Sequence, residues 1–283
     1  MQPLPVHDRS AWLVAAAAAA AIVFTGGAAL GQEPARPGAD ARVPDLRSLI
    51  ARARPSVLPV GTYSATASPR FTFRGSGFVV GDGHLLVTNA HVLPAPGEGD
   101  GSQRLAVLAL TAAPGREAGD LRFATVAAMD RAHDLAVLRL DGTALPALPL
   151  GEAERVAEGQ PIALMGFPAG GALGFAPVTH RGIVASVTTI ALPAPTAAQL
   201  DPRALARLRA GNIEVLQLDA TAYPGNSGGP VLDAESGAVV GVVNMVAVRG
   251  SRETALSAPT GITYAIALRS LRALLDEARS APR

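Results

Sequence analysis

Hydrophobic positions change their spacing several times along the chain, and each change predicts a different element. Residues 11–25 form an uncharged apolar stretch in which Ala11, Trp12, Leu13 and Val14 lead into an alanine run and Ile22, Val23 and Phe24, just after Arg9. A helical spacing follows. Pro44 and Asp45 suit a helix start, Leu46, Leu49, Ile50 and Ala53 recur three and four apart, and Pro55 stops the run. Beyond it the pattern becomes short apolar runs bounded by glycine or proline, which predicts strands over Val57–Tyr63, Phe71–Val80, His84–Thr88, Arg104–Thr111, Leu121–Met129 and Leu135–Leu140. Asp82-Gly83 supplies the positive φ that a tight hairpin needs. A second group covers Pro161–Gly166, Gly182–Thr189, Glu214–Leu218, Val231–Leu232, Ala238–Val246 and Thr263–Ala267. Two successive groups of short strands predict two packed barrels or sandwiches. A brief surface helix is expected over Asp201–Gly211, with an Asp cap, Pro202 in the first turn and glycine after the end. In Leu268–Ala278 the leucines at 268, 271, 274 and 275 share one face, so this helix should dock on the body.

Composition narrows the chemistry. With 49% hydrophobic and 17% charged residues among 283, the chain is neither disordered nor strongly charged. Its formal charge of +1 supplies no field for nucleic acid, which drops out as a partner. The 30 glycines and 23 prolines suit strands joined by turns, so an all-β fold is expected. Cysteine is absent, which excludes disulfides, thiolate metal sites and a cysteine nucleophile.

The stretch at residues 11–25 has the layout of an export signal, and Ala29-Leu30-Gly31 resembles a small-x-small cleavage site. Residues 1–31 are accordingly expected to be a signal peptide or, in the alternative, a membrane anchor, and residues 32–43, rich in proline and charge, a linker. Either way the remainder lies outside the cytoplasm, periplasmic, secreted or tethered to the membrane.

The sharpest motif is Pro224-Gly225-Asn226-Ser227-Gly228-Gly229-Pro230. Three glycines around one serine suit a nucleophile whose hydroxyl protrudes while backbone N–H groups, here those of Gly225 and Ser227, turn toward a developing oxyanion. A plain turn between strands uses the same vocabulary. A serine hydroxyl is a poor nucleophile at neutral pH and needs a base and a group that orients the base. His91, in Thr88-Asn89-Ala90-His91-Val92, follows one apolar strand, and Asp134, in His133-Asp134-Leu135, precedes another. Singly, each has a structural reading; in this order and context the three point to a Ser-His-Asp triad.

Those three motifs resemble the protease domain of the HtrA/Deg serine proteases, within the chymotrypsin-like superfamily. Arg54-Pro55-Ser56-Val57, Gly75-Ser76-Gly77-Phe78, Leu148-Pro149-Leu150-Gly151, Gly166-Phe167-Pro168, Gly182-Ile183-Val184 and Gln217-Leu218-Asp219-Ala220 extend the resemblance over about residues 44–275. It implies that residues 44–283 form a trypsin-like serine protease domain: an all-β fold of two six-stranded antiparallel β-barrels with short N- and C-terminal helices. It places His91 and Asp134 on the first barrel and Ser227 on the second. The family commonly carries carboxy-terminal PDZ domains; eight residues follow Leu275, so none is expected in this chain, and regulation carried over from the family is in doubt. The stretch Ala191–Ala210 is longer and richer in proline than the family's loop.

Thr221, Ala222 and Tyr223 are expected to line the primary specificity pocket, together with Asn244, Met245, Val246 and Val248, along which substrate adds as a strand. With no carboxylate there, cleavage after Arg or Lys is disfavoured and aliphatic side chains are preferred. No cofactor is expected. His84, His133 and His180 lack the spacing of a zinc hydrolase, and Ala169–Ala172 lacks the lysine and serine of a phosphate loop. The expected function is an exported serine endopeptidase acting on unfolded or misfolded polypeptides. A latent peptide-binding or chaperone-like module on the same fold is the alternative, and a narrowly specific processing enzyme is a third. A homo-oligomer and a membrane tether through the amino-terminal segment stay open.

Overall fold

The computed structural model describes residues 45–98, 101–109, 120–168, 170, 174–190, 213–244 and 262–280. Helix α1 (Leu46–Ala53) is capped by Asp45, whose carboxylate accepts from the Arg47 N–H at 3.3 Å. Six strands follow, β1 (Val57–Tyr63), β2 (Phe71–Val80), β3 (Leu85–Thr88), β4 (Arg104–Ala109), β5 (Asp120–Asp130) and β6 (Leu135–Leu140). They close into a barrel in the order β1-β2-β3-β6-β5-β4. The second six are β7 (Pro161–Gly166), β8 (Val178–Ile190), β9 (Ile213–Asp219), β10 (Pro230–Asp233), β11 (Val239–Asn244) and β12 (Ile262–Ala267). They close in the order β10-β11-β12-β9-β8-β7, and helix α2 (Leu268–Ser280) ends the described chain. All named strand pairs are antiparallel. The fold is the chymotrypsin-like pair of barrels.

The strands fall where the apolar runs predict them, with one clear extension. β8 begins at Val178 rather than Gly182, because Gly166, Met165, Leu164 and Ala163 of β7 pair with Val178, Thr179, His180 and Arg181. Pairing thus carries a strand past the end of its own apolar signal. At β3 the strand starts one residue later than expected, since the His84 N–H is taken by the Asp82 carboxylate in the preceding turn. The expected helix over Asp201–Gly211, the end of the strand expected to reach Thr111, and residues 1–44 lie outside the described residues.

Each barrel has its own interior. Leu58, Val60, Val79, Leu86, Val107 and Leu138 fill the first, and Ile162, Leu164, Leu216, Leu218, Val231 and Val243 the second. A third apolar cluster joins them. Phe78, Val87 and Val137 of the first barrel meet Met165, Leu232, Val242 and Ile266 of the second, and Leu49, Leu271 and Leu275 of the two helices complete it. Each such buried side chain contributes about 1.5–3 kcal/mol. This cluster packs the two barrels against each other along an apolar seam and so fixes their registry. Arg139 adds a polar tie by donating to the Ala278 carbonyl of α2 at 2.9 Å.

Candidate active site

The histidine arm grows from the end of β3. Asn89 leaves the strand, and Ala90–Val92 form one 3-10 turn that carries His91 outward while Ala90 and Val92 stay buried. The turn is fastened to Asp134, which sits between β5 and β6 with φ +52, the only non-glycine described with positive φ. Asp tolerates this left-handed conformation better than most residues, and such strain concentrates at functional positions. Every polar group of Asp134 beyond its own N–H is used. Its carbonyl accepts from the Ala90 N–H at 3.2 Å and from Asn89 Nδ2 at 3.0 Å. Its Oδ1 accepts from the His91 N–H at 2.9 Å, and its Oδ2 lies 2.6 Å from His91 Nδ1. With an ionised carboxylate at that distance the ring proton belongs on Nδ1, which leaves Nε2 with its lone pair free to act as a base.

Asn244 is expected along the specificity pocket. Its Nδ2 donates to Asp134 Oδ2 at 3.0 Å, from a residue only 1% exposed. An amide at the end of β11 in the second barrel therefore supports the carboxylate of the first, a link that no local signal in the sequence carries.

The serine arm lies between β9 and β10. Gly225 has φ +104 and Gly228 φ +85, a region that favours glycine, and a Cβ at either position would overlap backbone oxygen, that of Phe167 or of Ser76. Both glycines are thus required for conformation and for space. Asn226 N–H donates to the Tyr223 carbonyl at 2.9 Å, Gly229 N–H to the Asn226 carbonyl at 2.9 Å, and Gly228 N–H to the Val243 carbonyl at 3.0 Å. The N–H groups of Gly225 and Ser227 find no acceptor among the described residues. That is the arrangement an oxyanion requires of its donors.

The two arms meet at β2. Ser76 N–H donates to the Ser227 carbonyl at 2.8 Å, and a Cβ on the adjoining Gly75 would lie 2.6 Å from Val92 and 3.1 Å from that same carbonyl oxygen. Val92 and Ser227, neighbours of the two arms, therefore flank one glycine. Ser227 is 6% exposed, and the His91 side chain 31%. Among the described residues no hydrogen bond joins Ser227 Oγ to the imidazole; such bonds are commonly long before substrate arrives. Ser76, which sequence reasoning read only as part of a family landmark, is the residue that brings the arms together.

Of the other expected pocket residues, Thr221 and Tyr223 are half-buried and Ala222 is buried; Met245, Val246 and Val248 lie outside the described residues. Tyr223 stacks at a tilt on His180, ring centres 5.8 Å apart, and burial lowers the His180 pKa. His133 is half-exposed and pairs with Asp130, Nδ1 to Oδ2 at 2.6 Å. That hydrogen bond raises the His133 pKa and holds Asp130 down at about 2. Among the described residues no group of three His, Asp or Glu side chains is placed to hold a metal ion.

Comparison with known proteins places this site in context. The trypsin-like peptidase domain family matches residues 75–242, a span that contains His91, Asp134 and Ser227. HhoA of Synechocystis sp., named a serine protease, is 31% identical over 209 residues, 72% of this chain and 43% of that protein. A DegP-like protein of Halomonas elongata, named a periplasmic serine endoprotease, is 30% identical over 183 residues, 65% of this chain and 31% of its own. The chain thus spans less than half the length of these relatives. Among solved structures, the HtrA-type protease AlgW with tripeptide superposes at a TM-score of 0.55 with 22% identity, covering 82% of this chain and 63% of that one. This last likeness is one of fold.

Proposed function

This chain belongs to the family of trypsin-like peptidase domains, and we propose that it is an exported serine endopeptidase that hydrolyses unfolded or misfolded polypeptides through His91, Asp134 and Ser227. The observation that carries the reading is the bonded His91–Asp134 pair seated beside a loop whose Gly225 and Ser227 N–H groups have no acceptor among the described residues. In the proposed reaction Ser227 Oγ bonds to the scissile carbonyl carbon as its proton passes to His91 Nε2, and the carbonyl oxygen becomes an anion between the two N–H groups. Collapse breaks the C–N bond, and His91 returns the proton to the leaving amine. Water then repeats the sequence on the acyl-enzyme and frees the acid. Asp134 stays ionised throughout and stabilises the imidazolium. Export is supported by the apolar residues 11–25 after Arg9 and by the periplasmic name of the DegP-like relative. No helix among the described residues is long and apolar enough to cross a membrane.

The missing Ser227–His91 hydrogen bond favours a second reading, a latent peptide-binding module on the same fold. One experiment separates the two. A fluorophosphonate added to the purified protein should modify Ser227, and Ser227→Ala should remain folded while cleavage of denatured casein falls about 10⁶-fold. Casein cleavage that survives this substitution rejects the assignment, and an unlabelled Ser227 in a folded protein supports the latent module.

A further inference from the structure

Ser76 makes more bonds to the nucleophile loop than any function assigned so far requires. Its N–H donates to the Ser227 carbonyl at 2.8 Å, and its Oγ–H donates to the Gly225 carbonyl at 2.6 Å. The same Oγ accepts from the Phe167 N–H at 3.0 Å, and the Ser76 carbonyl accepts from Thr88 Oγ1 at 2.7 Å. The residue is fully buried, and every polar atom in it is occupied.

The two bonds fall on the carbonyls of the two residues whose N–H groups have no acceptor among the described residues. A peptide unit is planar, with its C=O and N–H pointing in opposite directions, so holding either end holds the plane. The 225–226 plane is held at its oxygen by Ser76 Oγ and at its N–H by Tyr223. The 227–228 plane is held at its oxygen by the Ser76 N–H and at its own N–H by Val243. Between them, the 226–227 plane has its oxygen on the Gly229 N–H, which aims the Ser227 N–H the other way, into the site. Three consecutive planes are fixed, and the plane bearing the Gly225 N–H adjoins them. The loop's own polar side chain offers nothing in exchange. Asn226 is fully buried, and neither its Oδ1 nor its Nδ2 has a hydrogen-bond partner among the described residues.

We infer that Ser76 is a positioning residue: its hydroxyl, on the first barrel, locks the 225–226 peptide plane of the second barrel's nucleophile loop, which lies between the Gly225 and Ser227 N–H donors, and so helps set their direction. The lock acts through the loop and touches no reacting atom. It ties the oxyanion site to the registry of the barrels, because β2 and β10 belong to different barrels. This role rests on the proposed endopeptidase reading for its catalytic consequence, though not for its structural one.

The test uses Ser76→Ala, with Ser76→Cys as a volume-keeping second variant in case the first fails to fold, and Thr88→Val as a variant that removes another buried bond to the same residue. A peptide p-nitroanilide with valine at the cleaved position is the substrate, and the matching peptide aldehyde, ¹³C-labelled at its carbonyl, reports the oxyanion. The expected result for Ser76→Ala is a kcat lowered about tenfold to a hundredfold with KM unchanged, and aldehyde binding weakened in proportion. The aldehyde adduct should also lose its oxyanion form at a higher pH than in the parent. Thr88→Val should lower the melting temperature and keep kcat. A parental kcat in folded Ser76→Ala, or an equal loss in Thr88→Val, overturns the inference. Amide exchange at Asn226, the N–H of the plane that the Ser76 hydroxyl holds, provides a reading independent of activity. It should quicken in Ser76→Ala even if the parent proves inert toward fluorophosphonate, and unchanged exchange overturns the lock whatever the chain hydrolyses.

Discussion

On the first barrel His91 is placed by side-chain chemistry: one carboxylate grips its ring and its backbone, and an amide from the other barrel braces that carboxylate. On the second barrel Ser227 is placed by backbone, in a glycine-bearing loop whose carbonyls and N–H groups are tied plane by plane. In the proposed reaction the difference follows from what each arm must present. A base needs one ring in one tautomer at one angle, which a single acceptor can specify. An oxyanion needs two N–H groups converging on a point, and only the path of the main chain can specify that. The base arm should therefore respond to changes of charge, and the nucleophile arm to changes of shape.

The largest break in this comparison is Asp134→Asn. Replacing the acceptor by an amide puts the wrong ring nitrogen in the protonated state without altering size, so kcat should drop about 10⁴-fold while the fold and the melting temperature are largely kept. Steady-state kinetics beside a thermal melt checks it; a small kinetic loss would show that His91 does not draw its tautomer from Asp134. Asn244→Ala is gentler. It removes the hydrogen bond to Asp134, of about 1.5 kcal/mol, so kcat/KM should fall roughly tenfold, and fluorophosphonate labelling of Ser227 should slow by a similar factor. An effect on KM alone would show that Asn244 acts through the specificity pocket, as its sequence position suggests, and not through Asp134.

The smallest expected effect separates the arms by pH. The Asp130–His133 bond lowers the Asp130 pKa to about 2 from 3.8, so its stabilisation is present above 3.8 and is lost as pH falls toward 2. His133 is raised above 6.5 by the same bond, so its share is present below 6.5 and is lost as pH rises through the elevated value. Both groups are about a third exposed, and solvent weakens the pair accordingly. Melting temperatures of the parent and Asp130→Asn should differ most between about pH 4 and 6.5 and converge on either side. A difference that is flat with pH would mean that the pair contributes nothing through ionisation. His133 adjoins Asp134, so this pair is continuous in the chain with the base arm.

The chain order of apolar runs is enough to mark the strand positions, and the residue types around 91, 134 and 227 point to the proposed base, orienting acid and nucleophile. Glycine at 225 and 228 was legible for the same reason, since so few other residues adopt their conformations. β8 was legible only in part, because its first four residues are extended by pairing with β7 rather than by their own pattern.

What the sequence could determine by itself was set by local chemistry: periodicity, turn residues, and motifs short enough to be read in one window. The closure of each barrel, the support of Asp134 by Asn244, and the hold of Ser76 on Gly225 and Ser227 join residues as much as 151 positions apart. Hydrogen bonds over such distances leave no periodic trace. They exist because the seam between the barrels fixes which backbone groups face one another, and only tertiary packing decides that.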